Sequence, residues 1–120
     1  MRRSSLYLGL VLLLLSVPSV EAHAKLVKSE PPRDAVLATA PSRIQLWFNE
    51  RLEVRFARIA VWNASGQRVD SADIRAIADD NTAVSVGLQQ LPPGIYTVKY
   101  RVLSVDSHVI ENQWHFTIRE

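Results

Sequence analysis

Three histidines and one late aspartate are the residues of this chain with the clearest chemistry. Asp106-Ser107-His108 sets a carboxylate and an imidazole two positions apart. In an extended segment residues i and i+2 point the same way, so the pair is expected together at the end of the run holding Tyr100 and Val102. His23 draws its interest from processing, because residues 1–22 read as a secretory leader. Arg2 and Arg3 precede an apolar run from Leu6 to Leu15, and Ser16, Pro18 and Ser19 break it. Val20-Glu21-Ala22 then supplies small residues at positions −3 and −1 of a cleavable bond. The apolar run of about 10 residues falls short of the roughly 20 that cross a bilayer as a helix. Cleavage after Ala22 makes His23 the first mature residue and leaves residues 23–120 as one domain. Its α-amine and ring Nδ1 then reach one ion together in a six-membered chelate. The amine has an ordinary pKa of about 8, so a metal displaces its proton at neutral pH. An uncleaved anchor and a plain exposed terminal histidine are the competing readings.

His23, Asp106 and His108 together offer three nitrogens and one oxygen, a set suited to Cu(II) in tetragonal geometry. Zinc accepts the same ligands, so the donor types alone do not choose the metal. Sulfur ligation is closed: the chain has no cysteine, and its single methionine is Met1, which leaves with the leader. The plainer reading of Asp106 and His108 is a pair of turn residues on a solvated loop. His115 stands between Trp114 and Phe116, and alternation turns it to the solvent side as a surface histidine. No Gly-rich segment joins a strand to a helix, and no serine sits in a G-x-S-x-G setting, so nucleotide and hydrolase chemistry find no support. Without Arg2, Arg3 and Glu21, the 14 Lys and Arg and 12 Asp and Glu become 12 against 11, which are scattered. A footprint for nucleic acid is missing.

The elements that must position these residues read as strands. Arg43 to Asn49 alternates, with Ile44, Leu46 and Phe48 on one face. Phe56 to Trp62 carries Ile59 and Val61 in phase and ends at the turn cluster Asn63-Ala64-Ser65-Gly66. Thr82 to Leu88 alternates through Val84 and Val86. Pro92-Pro93-Gly94 marks a turn, and Ile95 to Leu103 follows with Tyr96, Val98, Tyr100 and Val102 in register. The last run sets Trp114, Phe116 and Ile118 against Gln113, His115 and Thr117. A first strand is expected over Ala24 to Ser29 and a weak one near Ala72 to Ile77, with a helical turn at Ile74 to Ala78 as its rival. About seven short strands in about 98 residues predict an all-β fold, an immunoglobulin-like β-sandwich or Greek-key barrel.

Four stretches of this chain resemble the CopC-type periplasmic copper-resistance proteins. His23-Ala24-Lys25-Leu26-Val27-Lys28-Ser29-Glu30-Pro31 is similar to their mature start, and Ile44-Gln45-Leu46-Trp47-Phe48-Asn49-Glu50 to their second strand. Pro93-Gly94-Ile95-Tyr96-Thr97-Val98 resembles their penultimate strand, and Val105-Asp106-Ser107-His108 with Phe116-Thr117-Ile118 their terminal motif. The resemblance implies an immunoglobulin-like β-barrel holding one Cu(II) through the amine and ring of His23 together with Asp106 and His108. It also implies that Glu50 matches a carboxylate near the site, an outer acceptor for the amine; a solvated strand-end glutamate is the alternative. Two departures stand out. The region Asn63 to Val69 is short and carries no methionine, which argues against a second, Cu(I) site, and Glu111-Asn112 stands where the family tends to have glycine. The expected function is a periplasmic, monomeric, non-catalytic Cu(II) carrier or buffer, with an inner-membrane CopD-type copper transport protein as partner. The rivals are a histidine-brace copper oxidase of the lytic monooxygenase kind and a metal-free immunoglobulin-like domain used for protein contacts.

Overall fold

The computed structural model describes residues 25–77, 79 and 81–120. The leader at 1–22, His23 and the start of the expected first strand at Ala24 lie outside the described residues. Among the described residues eight strands follow one another: β1 Leu26–Glu30, β2 Val36–Leu37, β3 Arg43–Phe48, β4 Arg58–Trp62, β5 Arg75–Ala76, β6 Ala83–Gly87, β7 Gly94–Leu103 and β8 Val109–Ile118. A 3₁₀ turn, Val54–Phe56, leads into β4. The strands form two four-stranded sheets ordered β1-β3-β6-β5 and β2-β8-β7-β4. All pairings are antiparallel except β2 against the end of β8. The all-β sandwich expected from the sequence is what forms, and the two sheets do not close into a barrel.

Alternation builds the core. Ile44, Leu46 and Phe48 of β3 face Tyr96, Val98, Tyr100 and Val102 of β7 and Trp114, Phe116 and Ile118 of β8, all buried in one cluster with Ile59, Val61, Val84 and Val86. Phe48 meets Tyr100 edge to face across the two sheets, with ring centroids 5.6 Å apart. Tyr96 and Phe116 are register partners within one sheet and stack at 5.4 Å. Both arrangements suit the ring quadrupole and add to simple burial. The Tyr96 hydroxyl donates to the carbonyl of Pro92. A tyrosine that opens the penultimate strand and bonds back a few residues upstream is a feature of immunoglobulin-like sandwiches.

Two local expectations need correction, and one weak expectation is met. β6 is not a half-buried strand, since Ala83, Val84, Ser85 and Val86 are all buried. It lies between β3 and β5, so both of its edges are covered. The weak strand expected near Ala72 to Ile77 forms as β5 at Arg75–Ala76, paired to β6. Phe56 belongs to the 3₁₀ turn and not to β4, which starts at Arg58. Among the described residues no helix is long and apolar enough to cross a membrane.

The connection after β4 is fastened by an ion pair between the buried Asp70 carboxylate and the half-exposed Arg68 side chain. Asp70 accepts N–H bonds from Val61 at 2.8 Å and Ala72 at 3.0 Å, and two more from the Arg68 guanidinium at 2.7 and 2.9 Å. Burial alone would raise the Asp70 carboxyl, but Arg68 and the two backbone donors outweigh it and hold the group below the usual carboxylate range. In the turn before it, the Asn63 side chain accepts the N–H groups of Ser65 and Gln67 around a left-handed Gly66.

Candidate metal centre

β7 and β8 pair without a break from Gly94↔Ile118 to Leu103↔Val109, so residues 104–108 form the tip of a long hairpin. Ser104 N–H donates to the His108 carbonyl and Ser107 N–H to the Ser104 carbonyl, each at 2.9 Å. Ser107 is left-handed, at φ 74°. A tight turn followed by one left-handed residue is the common three-residue hairpin closure. Inside it the Ser104 hydroxyl accepts the N–H groups of both Asp106 and His108, at 3.2 Å each. Ser104 is 1% exposed, whereas Asp106 and His108 are both exposed. The sequence expectation that strand alternation aligns this pair is therefore wrong in mechanism. The strand ends at Leu103, and a turn gathered on one serine brings the two residues together.

The segment that leaves β3, Asn49 to Glu53, runs beside this tip. Val105 N–H donates to the Arg51 carbonyl and Glu53 N–H to the Leu103 carbonyl, at 2.9 and 2.8 Å, and Leu52 bridges Ser104. The other end of the same segment holds the beginning of β1. Lys25 donates its N–H to Asn49 Oδ1 at 2.7 Å and accepts the Asn49 N–H at 3.1 Å. Lys25 stands two residues beyond His23, and two residues of chain span at most about 7 Å. His23 itself lies outside the described residues. Between the two anchor points sits Glu50, whose Oε1 is buried and has no hydrogen-bond partner among the described residues. A buried carboxylate oxygen without a donor is costly, and such an atom in a folded protein calls for an ion, a water or another donor. That observation fits a cation or an ammonium group held nearby.

Among the described residues no three His, Asp, Glu or Cys side chains converge on one point. Asp106 and His108 come to the same turn, Glu50 precedes the residue that binds that turn, and His115 is set apart. His115 lies opposite Thr97, seven residues along β8 from His108, or about 23 Å at the usual strand rise. Its side chain is exposed, as the alternation implied. The methionine-free turn after Trp62 follows the register partner of Thr97, toward the far end of β7 from the hairpin tip. Two residues that sequence reasoning passed over prove central to the geometry, Ser104 and Asn49. The spacing Ser104-x-Asp106-x-His108 was a usable signal, because a serine hydroxyl readily accepts an N–H two residues on. Asn49 gave none, since its partner lies 24 residues away.

Residues 26–119 match the CopC domain family. The chain is 34% identical over 108 residues to copper resistance protein C of Escherichia coli, covering 84% of this chain and 85% of that protein. It is 32% identical over 120 residues to the copper transport protein CutJ of Bacillus subtilis (strain 168), covering 98% of this chain but only 22% of CutJ's length. The crystal structure of CopC from Methylosinus trichosporium OB3b superposes with a TM-score of 0.75 at 29% identity, covering 81% of this chain and 94% of that one. On sequence and architecture together, the chain belongs to the CopC family.

Proposed function

We propose that this chain binds one Cu(II) ion and serves as a copper carrier or buffer in the periplasm, after export and removal of residues 1–22. The observation that carries the reading is the shared anchoring segment. Asn49 to Glu53 is bonded on one side to Lys25, two residues past His23, and on the other to the turn bearing Asp106 and His108. The Glu50 oxygen that has no partner among the described residues lies on the same segment. The α-amine and imidazole of His23, the imidazole of His108 and the Asp106 carboxylate make a donor set that Cu(II) favours. Four donors from one chain occupy the tetragonal plane and leave little room for a substrate, which supports carriage over catalysis. The relatives named as copper resistance and copper transport proteins agree with this role. A membrane copper transport protein of the CopD type is the proposed recipient, with a monomer as the carrying species.

The test is a Cu(II) titration of protein beginning at His23 against two variants, His23→Ala and a form with one extra residue ahead of His23. Each variant is expected to bind at least about 100-fold more weakly, because each breaks the amine–imidazole chelate. Equal affinities across the three proteins would rule the site out.

A further inference from the structure

Both halves of the proposed site hang on backbone outside the regular strand ladder, and in each half one side chain supplies the missing acceptor. At the hairpin tip, the N–H groups of Asp106 and His108 point inward to a single atom, Ser104 Oγ. Ser104 is itself fixed three further ways: by its N–H to the His108 carbonyl, by its carbonyl to Ser107, and by its bridge to Leu52. At the start of the described chain the β1–β3 register shifts between Leu26 and Lys28. There the Lys25 N–H takes the Asn49 side-chain oxygen as its acceptor, while Asn49 returns its own N–H to Lys25.

We propose that Ser104 and Asn49 are positioning residues for copper binding, Ser104 setting the Asp106–His108 pair and Asn49 setting the terminal segment that carries His23. This rests on the copper reading above. Neither residue need touch the metal. Asp106 and His108 are exposed and their bonds to Ser104 Oγ are only part-buried, so losing that acceptor costs folding less than losing a core bond would. What changes is the number of conformations the two ligands sample, and the cost of ordering them moves from folding to metal binding. The same holds for Lys25, also exposed, which keeps only one of its two bonds to residue 49 when the side chain is cut back. Outer groups that orient metal ligands usually matter by about 10- to 100-fold in affinity.

The experiment uses mature protein beginning at His23 and its Ser104→Ala, Asn49→Ala and Asn49→Asp variants. Three quantities are read: Cu(II) affinity, the Cu(II) electron paramagnetic resonance spectrum, and amide hydrogen exchange of the metal-free proteins. Exchange is expected to quicken at Asp106 and His108 in Ser104→Ala and at Lys25 in Asn49→Ala, with the core amides unchanged. Cu(II) affinity is expected to fall about 10- to 100-fold in both alanine variants, with an altered spectrum, and to recover in Asn49→Asp, which keeps the acceptor. Wild-type affinity and spectrum in either alanine variant overturn the inference while leaving the copper reading intact. Failure of the wild type to bind Cu(II) overturns the copper reading and this inference with it.

Discussion

Asp70 shows how a single side chain can reinforce a connection that only isolated bridges tie to the sheets. Its carboxylate is wholly enclosed, although the Arg68 side chain that pairs with it is about half exposed, 52%. Asp70→Ala strips the buried Val61 N–H of its acceptor and is expected to cost about 2–3 kcal/mol in urea unfolding. The acid response follows in sign. Because the folded state holds this carboxyl below its unfolded value of about 3.9, its stabilisation is complete above that value and is lost as pH falls through the folded one. Asp70→Asn should therefore lose less stability than the wild type between about pH 5 and pH 2, measured by the denaturation midpoint at each pH. None of this was legible in the sequence. An Arg-Val-Asp run after a turn reads as solvated, and its burial depends on Val61 returning from the preceding strand. His23, Asp106 and His108 could be proposed from sequence for the opposite reason: their donor chemistry lies in residue type and does not depend on burial.

At the scale of elements, the β7–β8 hairpin carries two of the proposed ligands, Asp106 and His108, and its tip constrains them. Ser107 adopts φ 74°, where a β-branched side chain is disfavoured. Ser107→Val is expected to lower stability by about 1–2 kcal/mol and to weaken Cu(II) binding, whereas Ser107→Gly should hold both near wild type. Thermal unfolding and copper titration of the two variants check this pair of outcomes. Strands β3, β4, β7 and β8 were readable because each alternates over five or more residues with one face buried. β2 was missed and β5 only weakly sensed, since two residues are too few to show a period. The tip was misread because period-two reasoning was carried past Leu103 into a turn. Side-chain acceptors such as Ser104 Oγ, rather than strand pleat, decide which amides point where.

For the whole molecule, fold and metal are separate matters. The core of Ile44, Leu46, Tyr100, Val102, Trp114 and Phe116 joins both sheets without a disulfide or a metal, so the apo protein should be folded. Chelating the copper should lower the melting temperature only through lost ligand linkage, about 2.7 kcal/mol at a free ion concentration 100 times Kd, with no loss of strand signal in circular dichroism. Phe116→Ala, by contrast, should cost about 3–5 kcal/mol with or without copper, because it opens a cavity at the centre of the sandwich. The sandwich keeps the hairpin tip and the beginning of β1 at one end, both tied to the stretch that leaves β3, while His115 and the Asn63–Gly66 turn lie well along the strands from it. Nuclear magnetic resonance of the mature protein with one equivalent of Cu(II) tests that arrangement most directly. Paramagnetic broadening should erase Lys25, Asn49 to Arg51 and Asp106 to His108 together while sparing His115 and Ser65 to Gln67. Broadening centred on His115, or confined to the hairpin tip with Lys25 and Asn49 untouched, would contradict a site shared between the two ends of the chain.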